Sequence, residues 1–287
     1  MSKACHKEAR TVLMKAQPIA PALGARVTDV ALAEDCLEPQ RLAATAAQLQ
    51  ELLYQYQVLV LPAQQLSALQ LQALAQQFGQ PLEHPAYHTV VDAPAVTILE
   101  STASVPSKIE RWHTDMTFSP RPPPITLLHA QVVPQLGGDT LWASTAAAYD
   151  ALSPALQGLL LELTALHDFR KGFAESLAEP GGEQRLAAAV AANPPVSHGV
   201  VLEHPHSRRC AIYVNSLFTS RIEQLTALES ERLLTLLCSE IIREEHQMRL
   251  QWQPDMLVIW DNRVTQHRPV NDYFPAHRRH HRVTIAG

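Results

Sequence analysis

The sequence is short of cysteine, of surplus positive charge and of long apolar runs, and each shortage closes a class of function. Its four cysteines, Cys5, Cys36, Cys210 and Cys238, lie far apart and form no C-x-x-C pair. Dense cysteine frameworks staple small secreted domains, so this spacing predicts reduced thiols in a cytoplasmic protein. Lysine and arginine number 23 against 28 acidic residues, a formal charge of −5. That balance leaves no electrostatic footprint for a nucleic-acid partner. Charged residues from Lys3 to Lys15 interrupt the first apolar stretch, which argues against a signal-peptide core. No later segment approaches the roughly eighteen uninterrupted apolar residues of a spanning helix, so no membrane partner is expected.

What the chain does have is apolar content, 46% of its 287 residues, enough to bury one large core. A single catalytic domain over residues 1–287 is expected, with residues 1–15 flexible. "LGARVTDVAL" alternates apolar and polar positions like a strand, "PQRLAATAAQLQELLYQY" reads as a helix, and "VLVLP" reads as a short buried strand stopped by proline. In "SALQLQALAQQFG", Ser67 and Gln70 have the spacing of a capping box and Gly79 suits a left-handed stop. From about residue 95 onward, strand-like runs such as "AVTILE", "WHTDMTF", "ITLLHAQVV", "DTLWAS", "CAIYVN", "MLVIWDN" and "HRVTIAG" are separated by turn residues. Helical text interrupts them over 144–164 and 225–247. The order predicts an α+β chain in which many short strands form a sandwich or barrel flanked by helices.

"WHTDMTF" places two good metal ligands, His113 and Asp115, two residues apart. On a strand, residues i and i+2 project from one face and could hold one ion side by side. Taken alone, the pair also fits a hydrated surface strand. Non-haem iron(II) sites use two histidines and one carboxylate on one octahedral face, so a third ligand must come from elsewhere. The stretch "WDNRVTQH" offers His267 just beyond the strand-like "MLVIWDN".

The motifs "WHTDMTF", "GGDTLWAS", "HDFRKGF", "NPPVSH", "VNSLFTSRI" and "WDNRVTQH" run in this order over nearly the whole chain from about residue 20. Together they resemble the taurine dioxygenase family of iron(II)- and 2-oxoglutarate-dependent oxygenases. The resemblance implies a double-stranded β-helix, or jelly-roll, core, with Fe(2+) bound by His113, Asp115 and His267 as the catalytic centre. It implies 2-oxoglutarate as cosubstrate and O2 as oxidant, the far carboxylate of the cosubstrate being held by Thr140 and Arg278. A buried carboxylate of that kind calls for a bidentate cationic partner. Gly137 and Gly138 read as an ordinary turn before a strand, Trp260 as wall packing. Members of that family often form homo-oligomers, so the resemblance implies a possible homo-oligomer here.

On the substrate side the resemblance implies that Arg282 binds a sulfonate, and that His84, Tyr87, Phe173 and Phe218 line the substrate pocket. If "RRHHR" is extended, Arg278 and Arg282 share a face. Arg279, His280 and His281 read as a solvated basic cluster. Two positions depart from the taurine pattern: Ile109 replaces an asparagine and Gly172 replaces a serine, both leaving an apolar or roomier wall. The residues 172–190 read as a flexible loop that could serve as a lid. The activity implied is oxidation of the carbon next to sulfur in taurine or a related organosulfonate, releasing sulfite, an aldehyde, succinate and carbon dioxide. "SKIERWHTD" and "TAAAY" also resemble the alkylsulfatase branch, so oxidation of an alkyl sulfate ester is an alternative, as is hydroxylation of a carboxylate such as an aryloxy acid. A jelly-roll binding protein without turnover, or a zinc hydrolase, would be the rivals from other classes.

Overall fold

The run Val58–Leu61 is apolar at every position because both of its faces are buried. In the computed structural model, which describes residues 14–82, 88–105, 107 and 109–287, it belongs to an eight-stranded sheet. Across that sheet the strands are Lys15–Pro18, Ala25–Thr28, Val58–Leu61, Leu257–Asp261, Ile125–Val132, Arg278–Thr284, Ala93–Ser101 and Thr89–Val90. Neighbours are antiparallel except for Ala25–Thr28 beside Val58–Leu61.

Successive strand side chains point to opposite faces. Val58, Val60, Leu128, Val258 and Trp260 turn to one side, where they pack with Trp142, Met248 and Leu250. Those three come from a second sheet, ordered Gln247–Leu250, Thr140–Ser144, Thr265–Pro269. Leu59, Leu61, Leu127 and Ile259 turn to the other side, against Leu49, Leu53, Leu71 and Leu74 of two helices. Each such side chain contributes roughly 1.5–3 kcal/mol when fully buried. The result is helices on one face of a large sheet and a small sheet on its other face.

The helices follow local signals. Pro39–Tyr56 opens with proline in its first turn, where the missing N–H costs nothing, and closes on Gln57 at φ 65. Ala68–Gln76 begins at a reciprocal capping box: Gln70 N donates to Ser67 Oγ at 3.2 Å and Ser67 N donates to Gln70 Oε1 at 2.9 Å. Gly79 is not the left-handed stop that its position suggested. Its φ is +146, and a Cβ there would lie 2.7 Å from Ile285 Cγ2, so glycine serves the close approach of the C-terminal segment.

Other expectations need correction. The flexible start was drawn too long, since Lys15 already pairs with Thr28 in a strand; the rest of that expectation lies outside the described residues. Residues 172–190 are not a loop: the short helix Phe169–Gly172 ends there, and Ala174–Ala178 and Gly182–Ala192 follow. The 144–164 stretch forms two helices, Thr145–Asp150 and Pro154–Leu161, separated at Ser153, which caps the second. "CAIYVN" is strand only over Cys210–Ile212. Among the described residues no helix is long and apolar enough to cross a membrane, and Cys36, Cys210 and Cys238 are free thiols.

Candidate metal and cosubstrate site

"WHTDMTF" is not a strand. His113 makes one antiparallel bridge, to His267, with His113 N donating to His267 O at 3.0 Å and His267 N donating to His113 O at 2.8 Å. The chain then turns over residues 115–118, with Met116 at φ 49. The alternation that mimicked a strand has another cause: the polar residues face inward. Thr114 Oγ1 donates to Thr265 O at 2.8 Å, and Thr117, 1% exposed, accepts from Asn215 Nδ2 at 3.0 Å. His113 and Asp115 thus meet through a turn, not through strand periodicity.

The three expected ligand groups come together. One donor atom from each of His113, Asp115 and His267 lies within 4.8 Å of the others. Asp115 Oδ1 is 3.7 Å from His113 Nε2 and 3.8 Å from His267 Nε2. The remaining ring and carboxylate atoms are directed elsewhere: His113 Nδ1 bonds Arg111 O at 2.8 Å, and Asp115 Oδ2 accepts from Thr126 Oγ1 at 3.1 Å. Thr126 in turn accepts from Asn262 Nδ2 at 2.9 Å. Such outer partners fix ring and carboxylate orientation.

Protonation states suit a cation. Burial pushes the His267 imidazole down to about 3, with His113 adding to the effect. Burial likewise lowers His113, against the pull of Asp115. Burial alone would raise Asp115, but His267, Arg282, His113 and the Thr126 hydroxyl outweigh it and hold the carboxyl below its ordinary value. Two neutral imidazoles and one carboxylate are the donors that a divalent iron ion takes, with positions left open for other ligands.

These three groups open onto a cavity of about 440 Å³, within the usual range of small-molecule sites. Thr140, Phe173, Phe218, Arg278 and Arg282 all line it. Every sequence-predicted site residue within the described part of the chain therefore meets in one place. His84 and Tyr87 lie outside the described residues.

Arg278 and Thr140 fit a carboxylate. Burial lowers the Arg278 pKa, Tyr273 opposing, and its buried Nε has no hydrogen-bond partner among the described residues. The guanidinium carbon sits 5.9 Å from the Trp252 ring centre and 5.8 Å from that of Tyr273. Rings of this kind favour a cation but do not neutralise it, and a buried uncompensated charge costs several kcal/mol. The site thus calls for an anion. Trp252 Nε1 donates to Thr140 Oγ1 at 2.9 Å, so the Thr140 hydroxyl proton is left to donate outward.

Arg278 and Arg282 share the extended strand Arg278–Thr284. Between them, His280 is fully buried and His281 8% exposed, which corrects their reading as a solvated cluster. His280 stands edge-on to Trp252, ring centres 4.6 Å apart. Trp260 packs as wall, 5.1 Å from the His267 ring. Gly137 and Gly138, at φ 78 and 72, take left-handed backbone before the strand Thr140–Ser144, and Gly138 N donates to Asp272 Oδ1 at 2.8 Å. The room at Gly172 is not open space beside residue 172 itself. The space that its missing Cβ vacates is filled by the Phe218 ring.

Sequence reasoning missed Thr126, Trp252 and Asn215, which orient the site through other residues. Asn215 Oδ1 accepts from Leu217 N at 3.1 Å and Phe218 N at 2.8 Å. Only Asn215 carried a local signal, since a buried asparagine before a turn commonly bonds the backbone two residues on.

With this geometry the chain can be set beside known proteins. The family described as "Taurine catabolism dioxygenase TauD, TfdA family" matches residues 15–285. An alkylsulfatase of Acinetobacter baylyi is 32% identical over 249 residues, covering 85% of this chain and 78% of that protein. An alpha-ketoglutarate-dependent sulfate ester dioxygenase of Pseudomonas putida is 32% identical over 274 residues, covering 94% of this chain and 88% of that protein. Among solved structures, a taurine dioxygenase from Burkholderia xenovorans superposes with a TM-score of 0.79 at 29% identity, covering 96% of this chain and 89% of that one.

Proposed function

The chain belongs to the TauD, TfdA family, and from that premise we propose that this 2-oxoglutarate-dependent dioxygenase acts on alkyl sulfate esters, oxidising the carbon that bears the ester oxygen. One observation carries the substrate assignment. Arg282, close enough to the triad to favour the Asp115 carboxylate and oppose protonation of both histidines, lines the same cavity as an apolar wall of Ile109, Met116, Phe118, Leu217 and Phe218. An anionic head with an apolar tail suits that division. The two sheets are read, within the same proposal, as the jelly-roll core that supports the site.

In this reading His113, Asp115 and His267 would hold iron(II), with Asp115 Oδ1 facing Nε2 of both histidines. Bound iron supplies the activation of dioxygen, coupled to conversion of 2-oxoglutarate to succinate and carbon dioxide, which no side chain can perform. Arg278 and the outward proton of Thr140 would hold the far carboxylate of the cosubstrate and so orient it in the cavity. Arg282 anchors the sulfate oxygens and so orients the carbon to be oxidised. The apolar wall excludes water from that carbon. Hydroxylation there gives an adduct that collapses to an aldehyde and sulfate.

A sulfonate offers Arg282 the same oxygens, and the likeness to the Burkholderia xenovorans taurine dioxygenase favours that second reading. The test incubates the iron-loaded enzyme with 2-oxoglutarate and alkyl sulfates, alkyl sulfonates, taurine or aryloxy acids, scoring succinate with sulfate or sulfite. Sulfate released in step with succinate is expected. Sulfite from the sulfonates, with alkyl sulfates inert, establishes the second reading instead.

A further inference from the structure

Gly172 closes the helix Phe169–Gly172 and lines the cavity. An ideal Cβ at this position would lie 2.2 Å from Phe218 Cε1 and 2.4 Å from Phe218 Cδ1, distances that no real side chain tolerates. Neither backbone can give easily. Phe218 N donates to Asn215 Oδ1 at 2.8 Å and Phe218 O accepts from Asp168 N at 2.9 Å. On the helix side, Asp168 caps the turn by accepting from Arg170 N at 2.8 Å. The ring of Phe218 is therefore the part that must move when residue 172 gains a side chain. Phe118, buried and 5.0 Å away between ring centres, limits its retreat on one side. Phe218 lines the cavity, and the other rings beside it, His113 and Phe173, stand farther off, each at 6.4 Å between ring centres.

We propose that Gly172 sets the length of apolar tail the cavity accepts, by letting the Phe218 ring lie against the helix backbone instead of across the substrate space. Gly172 is a positioning residue acting through Phe218. The inference rests on the reading of the cavity as a site for an anion with an apolar tail. It extends that reading by naming what fixes the tail's reach.

The experiment measures binding, so it does not depend on turnover. The full-length protein, loaded with manganese(II) and 2-oxoglutarate under nitrogen, is titrated by calorimetry with butyl, hexyl and octyl sulfate and with the matching sulfonates. In the wild type, affinity is expected to rise with tail length. In Gly172→Ala the octyl-to-butyl affinity ratio is expected to fall at least about tenfold, the loss expected when roughly two methylenes are displaced from an apolar wall. In Phe218→Ala the ring is gone, so adding Gly172→Ala should leave that ratio within about twofold; this non-additivity marks direct coupling. A ratio unchanged by Gly172→Ala, or an equal fall in the Phe218→Ala background, overturns the proposal. Tail-dependent binding that obeys the cycle while no alkyl sulfate or sulfonate is oxidised overturns the substrate reading alone. Absence of any alkyl anion binding to the wild type overturns both.

Discussion

Asp115 is the residue on which the metal site turns, because it faces both imidazoles with one oxygen and is held by Thr126 with the other. Asp115→Ala should abolish iron-dependent succinate formation while leaving the melting temperature of the metal-free protein within a few degrees; retained turnover would remove Asp115 from its assigned role. The two arginines should separate in kinetics. Arg278→Ala is expected to raise the apparent KM for 2-oxoglutarate about a hundredfold, since truncating one partner of a buried charge pair costs on the order of 2–5 kcal/mol. Arg282→Ala should damage use of the organic anion far more than use of the cosubstrate, and equal damage to both would show the pair misassigned. At this scale the sequence was legible in residue types but not in geometry. His113, Asp115 and His267 were identifiable, yet their convergence depends on a turn at Met116 and a main-chain bridge that no periodicity announces. His280 was misread because histidine among arginines resembles a hydrated surface, and only the sheet pairing reveals that it points inward.

Among elements, long helices with apolar residues at helical spacing could be read, and short ones could not even where a cap marks their start, as Ser153 and Asp168 do. The helix Ala227–Ile241 is announced by Thr226 and Glu229, which cap each other's backbone. Leu237 and Ile241 then seat it in the core beside Ile222 and Val214. Thr226→Ala should cost about 1 kcal/mol, which for a chain of this size lowers the melting temperature by roughly 2–4 °C. Calorimetric unfolding reads this directly, and no change would mean that packing alone holds the helix end. Of the helices between Phe169 and Ala192, Ala174–Ala178 and Gly182–Ala192 have no side-chain cap. In "AEPGG", Pro180 and Gly181 lie at the junction between Ala174–Ala178 and Gly182–Ala192, and Gly182 already opens the second helix. The β-branched and leucine-rich runs of the large sheet were legible because burial on both faces leaves a continuous apolar text.

For the whole molecule, stability should depend on acidity through histidines buried in the neutral form. Burial, with His198 and Lys171 adding to it, depresses His167 to about 3. Its Nδ1 contacts Thr117 Oγ1 at 2.9 Å. An unfolded chain takes up a proton at that histidine near pH 6.5, whereas the folded chain refuses it until about pH 3. The unfolded state therefore binds more protons in this window, so stability is fully present above pH 6.5 and falls as the pH drops. The slope from this one group is at most about 1.4 kcal/mol per pH unit. The urea midpoint should be lower at pH 5 than at pH 7, and His167→Asn should flatten the difference; equal slopes in the two proteins would rule this histidine out as a source.

The reciprocal hydrogen bonds joining His113 to His267 run through the main chain, so the backbone beneath the metal cradle is tied together by the chain itself. A cradle set by the backbone has little freedom to reshape itself around one preferred guest. Two imidazoles and a carboxylate then follow the general ranking of divalent affinities, in which copper, nickel and zinc bind more tightly than ferrous iron. The choice of metal is thereby left to supply, and traces of those competitors should silence the enzyme without disturbing its shape.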